Sequence, residues 1–531
     1  LFRSGRDATW LAIGASIFAS NIGSEHLIGL AGAGASSGMA MAHWEIQGWM
    51  ILILGWVFVP FYTRSMVYTM PEFLERRYNP QSRTILSVIS LVSYVLTKVA
   101  VTVYAGGLVF QQVFGIKELW GIDFFWIAAI GLVVLTALYT IFGGMKSVLY
   151  TSVLQTPILL LGSLIILVLG FKELGGWDEM MRVCGAVTVN DYGDTMTNLI
   201  RSNDDANFPW LGALIGSAII GFWYWCTDQF IVQRVLSGKN EMEARRGTIF
   251  GAYLKLLPVF LFLIPGMIAF ALHQKYIGAG GEGFLPMLAN GTANADAAFP
   301  TLVAKLLPAG VKGLVVCGIL AALMSSLASL FNSSAMLFTI DFYKRFRPET
   351  PEKKLVGIGQ VATVVIVILG ILWIPIMRSV GDVLYTYLQD VQSVLAPGIA
   401  AAFLLGICWK RTSAQGGMWG LIAGMVIGLT RLGAKVYYSN AGEVADSTFK
   451  YLFYDMNWLF FCGWMFLFCI IVVIVVSLAT KAPTAEKIQG LVFGTATKEQ
   501  KAATRASWNH WDIIHTVIIL AITGAFYWYF W

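Results

Sequence analysis

Charged residues are scarce in this chain of 531 residues. Only 12% are Asp, Glu, Lys or Arg, whereas soluble domains carry about 25%. So few charges cannot cover the surface of a soluble enzyme of this size. The hydrophobic share of 57% also excludes an intrinsically disordered chain, which needs low hydrophobicity and high charge. The composition therefore predicts a protein that exposes most of its surface to lipid.

Cysteine and histidine are also rare. The six cysteines and five histidines are scattered along the sequence, and it contains no Cys-x-x-Cys pair or Cys/His cluster. We therefore expect neither a disulfide framework nor a metal centre of the usual sequence types. The histidines also lack the helix pairing that would hold haem, which argues against a membrane redox enzyme. No organic cofactor is expected.

What the sequence has instead is a series of unbroken apolar runs, each about 20 residues long. Such runs predict membrane helices, because a β-barrel would show ten-residue alternations. The prediction is an all-α integral membrane protein without a soluble domain. The expected spans are residues 9–32, 39–63, 84–114, 122–142, 150–171, 209–233, 247–272, 311–342, 355–377, 382–409, 414–432, 457–479 and 511–531.

Lysine and arginine are distributed unevenly between the loops. If the loops alternate sides, one side carries roughly twice as many of these residues as the other, which marks the richer side as cytoplasmic. This predicts a cytoplasmic start for the first helix and an outside C-terminus. The net charge of +6 then reflects Lys and Arg residues in the loops of a membrane protein. No nucleic-acid partner is expected. The lack of paired outside cysteines favours a bacterial inner membrane.

The first span contains an unusual polar stretch. Asn21, Gly23 and Ser24 are poor helix formers at mid-membrane, and Glu25 and His26 follow directly. Such an interruption predicts a broken helix, whose freed carbonyls suit a small cation. A packing kink is the alternative, since small residues also permit close helix contact.

The eighth span carries hydroxyl groups on one face. Ala322, Ser325, Ser326 and Ser329 share that face through spacings of three and four. Serine hydroxyls and carbonyls suit Na⁺, and they are too few and uncharged for Ca²⁺. A packing seam of small residues is equally typical of membrane helices.

Ionisable residues recur within or near the spans, notably Glu45, Lys255, Asp228 and Asp390. Such charges must face each other or water. Aromatic residues lie beside them in the sequence, at Trp44 and at 223–225. Polar groups with flat aromatic faces suit a polyhydroxylated ring. Aromatic belts at the membrane interface are the alternative interpretation of the Trp and Tyr residues.

Several motifs together resemble the sodium/glucose cotransporters of the solute:sodium symporter family, over essentially the whole chain. The resemblance implies two inverted five-helix repeats of leucine-transporter type with peripheral helices, and an extra helix before the first repeat in the complete protein. The motifs are GRDATW at 5–10, ASNIGSEH at 19–26, TMPE at 69–72, WYWCTDQ at 223–229, YLKL at 253–256, MSSL at 324–327 and FLLG at 403–406.

Domain boundaries and site residues follow from the resemblance. The first repeat would span 1–171, a loop 172–208, the second repeat 209–410 and the peripheral helices 411–531. Trp44 and Tyr385 would gate the site, and a lipid bilayer, a hexose and Na⁺ would be the partners. The sodium site implied is the carbonyls of Ala19, Ile22 and Ala322 with the hydroxyls of Ser325 and Ser326. The sugar site implied is Asn21, His26, Glu45, Tyr224, Trp225, Lys255 and Gln389.

Four departures from the family pattern bear on ion ratio and substrate. Ser152 and Ala328 replace residues associated with a second ion, so we expect one Na⁺ per sugar. Gly221 and Ile46 leave the sugar preference open, although Lys255 is similar to hexose carriers.

The alternatives are an inositol or polyol carrier, a sugar sensor or sodium leak pathway, and proton coupling through Glu25 or Asp228. The sequence gives no oligomeric state.

Overall fold

The computed structural model describes residues 7–23, 25–67, 69–288, 291–380, 384–440 and 445–531. These residues are almost entirely helical, with one short hairpin between Glu118–Leu119 and Ile122–Asp123. The predicted spans correspond to helices Trp10–Asn21, Glu25–Leu30, Ala31–Ser37, Ala42–Glu45, Gly48–Ile53, Leu54–Phe58, Val59–Ser65, Pro80–Ser93, Tyr94–Val99, Ala100–Phe114, Phe124–Leu174, Trp210–Gly221, Phe222–Thr227, Gln229–Leu236, Glu241–Leu254, Val259–Leu263, Ile264–Gly278, Ala309–Met336, Leu337–Tyr343, Glu352–Val380, Leu384–Cys408, Ala414–Asn440, Trp458–Ala479 and His510–Tyr529.

The loops contain short helices that the span prediction did not include. Three of them begin with side-chain caps: Thr69 accepts a hydrogen bond from the Glu72 amide, Ser447 accepts one from the Lys450 amide, and Thr497 forms a capping box with Gln500. Such caps satisfy amides that have no partner within the helix. The loop helices are Met70–Arg77, Trp177–Gly185, Ala298–Leu306, Lys344–Phe346, Thr448–Lys450, Ala485–Ile488 and Lys498–Ala506.

The helices are long and apolar enough to cross a membrane. In the described residues, eleven helical stretches meet that criterion by length and composition. Two shorter apolar helices, Trp10–Asn21 and Phe124–Leu138, accompany them. The stretch Glu25–Ser65 contains both the end of the first predicted span and the second span. The chain is therefore a multi-pass membrane protein.

The predicted loop between the fourth and fifth spans is wrong. Residues Phe124–Leu174 form one helical stretch of 51 residues. Gly143 and Gly144 lie within this stretch, but a glycine costs a helix only about 1 kcal/mol and does not by itself end it.

Close backbone contact fixes the second half of the first helix. A Cβ on Gly34 would lie 2.2 Å from the Leu263 carbonyl oxygen, and a Cβ on Gly266 would lie 2.0 Å from that of Ala31. The helices Ala31–Ser37 and Ile264–Gly278 thus pack backbone to backbone, as small residues permit in membranes.

Several polar contacts join loops that the predicted alternation places on the same side of the membrane. Which face is cytoplasmic stays a prediction. On one face the Lys239 amide donates to Ala8, Arg64 to Thr504 and Arg345 to Pro80; on the other, Lys275 donates to Leu174 and the Leu199 amide to Phe530.

Candidate functional site

The first helix is broken where the sequence predicts it. Helix Trp10–Asn21 ends at Asn21, and Ile22 adopts an extended conformation with φ −80° and ψ 103°. The chain resumes as a π-helix at Glu25–Leu30. Ser24 lies outside the described residues. Asn21 and His26, which flank the break, are both buried.

Three further interruptions, which the predicted spans did not include, surround this break. The second span is interrupted at Ile46 and Gln47, directly after Glu45. The sixth is interrupted at Asp228, whose carboxylate caps the following helix through the Phe230 amide. The seventh is interrupted after Lys255, before Pro258. Non-helical backbone at this depth is tolerated where it lines a cavity or is buried in protein.

Glu45 is the centre of a buried polar cluster. Its side chain is 0% exposed, and its Oε2 lies 2.6 Å from Lys255 Nζ and 3.2 Å from His26 Nε2. Tyr385 donates a hydrogen bond of 2.6 Å to Oε1. The cluster joins four elements that are distant in sequence, and its charges pair as a buried ion pair requires.

The remaining predicted sugar residues extend this cluster. Asn21 Nδ2 lies 3.2 Å from His26 Nε2, and the Tyr224 hydroxyl donates to Asn21 Oδ1 at 3.3 Å. Lys255 Nζ lies 5.4 Å from the centre of the Trp225 ring, within cation–π range. Polar and aromatic groups therefore alternate around one space.

That space is a cavity of about 40 Å³, which has room for a few water molecules. All seven predicted sugar residues and both predicted gate residues line it. Glu25, Gly221 and four residues that sequence reasoning did not select complete the wall. The lining residues are Asn21, Glu25, His26, Trp44, Glu45, Gln47, Ile220, Gly221, Tyr224, Trp225, Lys255, Tyr385, Leu388, Gln389 and Gln392.

Three buried polar atoms at the cavity have no hydrogen-bond partner among the described residues. They are His26 Nδ1, Trp44 Nε1 and Gln389 Oε1. Buried polar atoms are normally paired, so such a group points to a ligand or water. Donors and acceptors together in one wall suit hydroxyl groups, which can act as either.

The two predicted gate residues are held differently. Trp44 stacks on Trp458, with ring centres 5.5 Å apart and planes 23° apart, and contacts Phe208 edge-on. Tyr385 is tied to Glu45 by its hydroxyl. Gly29 allows the first helix to approach Tyr385, because a Cβ there would lie 3.1 Å from the tyrosine side chain.

Gln47 is a cavity residue that the sequence did not reveal. Its Nε2 donates to the Ser217 carbonyl at 2.8 Å. A Cβ on Gly221 would lie 2.4 Å from Gln47 Oε1, so the glycine noted as a family departure provides room for this side chain. In the sequence, only the combination of the departures at Ile46 and Gly221 could have indicated this contact. Neither departure indicates it alone.

A second buried ion pair lies beside the cavity. Asp228 Oδ2 lies 2.7 Å from Lys98 Nζ, and Tyr94 donates to Asp228 Oδ1 at 2.9 Å. Lys98 Nζ also lies 5.0 Å from the centre of the Tyr224 ring. Sequence reasoning left Lys98 unassigned, because nothing in the sequence identifies its partner.

One of the predicted sodium residues, Ser326, lies at the break. Helix Ala309–Met336, which carries Ala322, Ser325 and Ser326, contacts helix Trp10–Asn21, which carries Ala19. A Cβ on Gly23 would lie 2.6 Å from Ser326 Oγ, and this buried oxygen has no hydrogen-bond partner in the described residues. The described part of the chain includes no group of three or more His, Cys, Asp or Glu able to hold a metal. Neutral oxygens remain, which suit an alkali cation.

The chain was compared with known families and proteins. The model of the "Sodium:solute symporter family" matches residues 1–424. The Sodium/myo-inositol cotransporter of Canis lupus familiaris is 37% identical over 515 residues, which covers 93% of this chain and 71% of that protein. Sodium/glucose cotransporter 1 of Ovis aries is 39% identical over 498 residues, covering 90% of this chain and 74% of that protein.

The fold has a counterpart among solved structures. A Na⁺-coupled sialic acid symporter, in a substrate-bound outward-open state, superposes with a TM-score of 0.69 at 22% identity. The match covers 91% of this chain and 92% of that one. The predicted fold class, an all-α membrane protein with a five-plus-five inverted-repeat core, is confirmed.

Proposed function

The chain belongs to the sodium:solute symporter family, and from this premise we propose that it carries a monosaccharide of the glucose or galactose type together with Na⁺. It is a transporter and not an enzyme. One sodium ion accompanies each sugar in this proposal, and the site opens alternately to either side of the membrane. The observation that carries the proposal is the cavity around Glu45, with unpartnered polar atoms in its wall.

The sugar site works through exchange of hydrogen bonds. Lys255, His26 and Tyr385 each bond to Glu45 at the cavity. A sugar would replace some of these contacts with its hydroxyls, while the Trp225 and Tyr224 rings pack against its C–H groups. Asn21 and Gln389 would complete the set, and Trp44 and Tyr385 would close it.

The ion acts through the break in the first helix. Na⁺ held by the carbonyls of Ala19, Ile22 and Ala322 and the hydroxyls of Ser325 and Ser326 would order this backbone. Asn21 and His26 flank the same break, so ordering it positions two sugar ligands. The coupling is reciprocal, because each ligand must raise the affinity for the other by the same factor.

The number of ions and the sugar are inferred from particular positions. Ala328 is buried and offers no hydroxyl for a second ion, and the Ser152 side chain lies outside the described residues.

Lys255 favours a hexose. Because relatives named for glucose and for myo-inositol are similarly close, at 39% and 37% identity, competition between glucose, galactose and myo-inositol is the deciding assay. Stronger competition by myo-inositol would make the protein a polyol carrier.

We also propose the arrangement in the membrane. The two repeats are 1–171 and 209–410, joined by the loop 172–208 and followed by peripheral helices at 411–531. The first helix starts in the cytoplasm and the C-terminus lies outside, in a bacterial inner membrane. The basic loop residues support this orientation.

Ser326→Ala tests the ion site. Loss of one hydroxyl ligand to a cation is expected to raise the Na⁺ concentration for half-maximal uptake about tenfold. The measurement is sugar uptake into proteoliposomes as Na⁺ replaces choline at constant ionic strength.

The matched control is Ser163→Ala. Ser163 Oγ is also buried and without a hydrogen-bond partner among the described residues. It lies on the helical stretch Phe124–Leu174 and is not one of the proposed Na⁺ ligands. Its replacement should leave the sodium dependence unchanged. An unaltered sodium dependence in Ser326→Ala would remove that residue from the ion site.

A further inference from the structure

Glu25 is a half-buried carboxylate that the proposed mechanism does not yet use. It is the first residue after the break in the first helix, and it lines the cavity. A Cβ on Gly23 would lie 3.6 Å from Glu25 Oε2 and 2.6 Å from Ser326 Oγ. The carboxylate and the unpartnered hydroxyl therefore flank the same point of the break.

The charges around Glu25 are already paired with other groups. The charged groups that act on it are His26, Lys98, Lys255 and Glu45. Lys255 and His26 contact Glu45, and Lys98 contacts Asp228. Among the described residues, Glu25 has no ion-pair partner within 4.0 Å.

An unpaired carboxylate at this depth is costly and needs a compensating charge. The groups implied for Na⁺ at the break are all neutral: carbonyls and serine hydroxyls. Neutral oxygens alone leave the charge of the ion uncompensated. The unpaired carboxylate of Glu25 and the uncompensated charge of the ion would meet at the same place.

We propose that Glu25 supplies the negative charge for the sodium ion at the break and sets the affinity for that ion. This rests on the proposed function. Glu25 also links the two sites, because its carboxylate lines the sugar cavity beside Lys255 and His26.

Glu25→Gln removes the charge and keeps the size. The Na⁺ concentration for half-maximal uptake is expected to rise at least tenfold. The apparent KM for sugar at saturating Na⁺ should change less than threefold. ²²Na⁺ binding to purified protein without sugar, measured by equilibrium dialysis, should weaken by the same factor as the half-maximal Na⁺ concentration.

Two further variants make the test specific. Glu25→Asp keeps the charge and should raise the half-maximal Na⁺ concentration less than Glu25→Gln does. This comparison also guards against a folding defect in the amide variant. Glu118→Gln is the control, since Glu118 is an exposed acid in the short hairpin. It should leave both Na⁺ readouts unchanged.

The possible failures are distinguishable. If wild-type protein binds ²²Na⁺ and Glu25→Gln binds it within twofold of the same affinity, the role of Glu25 is wrong and the proposed function stands. A change confined to the sugar KM would likewise overturn it and make Glu25 a sugar ligand. If the wild-type protein binds no Na⁺, the proposed function fails and this inference fails with it.

Discussion

Glu45→Gln is expected to reduce sodium-driven sugar uptake at least a hundredfold. The carboxylate contacts Lys255, His26 and Tyr385 at once, and a neutral amide cannot accept from all three as strongly. Removing one partner of a buried ion pair typically costs about 3–5 kcal/mol, because it leaves the other charge unpaired. Both the sugar ligand and the arrangement of its neighbours would be lost.

The measurement is initial uptake rate in proteoliposomes, normalised to folded protein by size-exclusion chromatography. Glu118→Gln is the matched control, because it removes an exposed carboxylate far from the cavity. Uptake of Glu45→Gln within threefold of the wild-type rate would show that Glu45 is not a sugar ligand.

Asp228→Asn is expected to lower the free energy of unfolding by about 3–5 kcal/mol. The change leaves the buried ammonium of Lys98 without its carboxylate partner and weakens the contact with Tyr94. It also weakens the cap on the helix Gln229–Leu236. The readout is intrinsic tryptophan fluorescence during thermal unfolding in detergent.

A double variant and an exposed pair make this prediction specific. Lys98→Met combined with Asp228→Asn should recover part of the stability, because no buried charge is left unpaired. Asp446→Asn removes the partner of Lys450 in a pair whose aspartate is 94% exposed, and exposed pairs contribute only about 0–1 kcal/mol. Equal destabilisation by Asp228→Asn and Asp446→Asn would contradict a special role for the buried pair.

Much of the site could be predicted because membrane burial makes polar residues conspicuous. Asn21, Glu45 and Lys255 were selected as polar groups in apolar runs, and all three line the cavity. The break after Asn21 was predicted from weak helix formers and is present in the structure. Carrying the family pattern over added Gln389, Trp44 and Tyr385, which composition alone could not distinguish from other residues.

Other features depend on contacts that the sequence does not encode locally. The partner of Lys98 is Asp228, on another helix, so neither residue reveals the pair. Gln47 lines the cavity only because Gly221 leaves room for it. Helices are interrupted at Asp228 and Lys255, although the sequence on both sides of each residue is apolar. Conversely, the glycine pair at 143 and 144 lies within a continuous helix. In each case tertiary packing overrides local propensity.

The most direct test of sodium-coupled transport is accumulation of labelled glucose against its own gradient. Proteoliposomes would contain equal sugar inside and outside, with Na⁺ and a negative interior potential imposed. One charge across 100 mV supplies about 2.3 kcal/mol, and a tenfold Na⁺ gradient adds about 1.4 kcal/mol. At one Na⁺ per sugar this permits roughly 500-fold accumulation. We predict concentrative uptake that collapses when an ionophore removes the Na⁺ gradient and the membrane potential; uptake that only equilibrates, with Na⁺ or with choline, would contradict symport and indicate a sensor or a leak pathway.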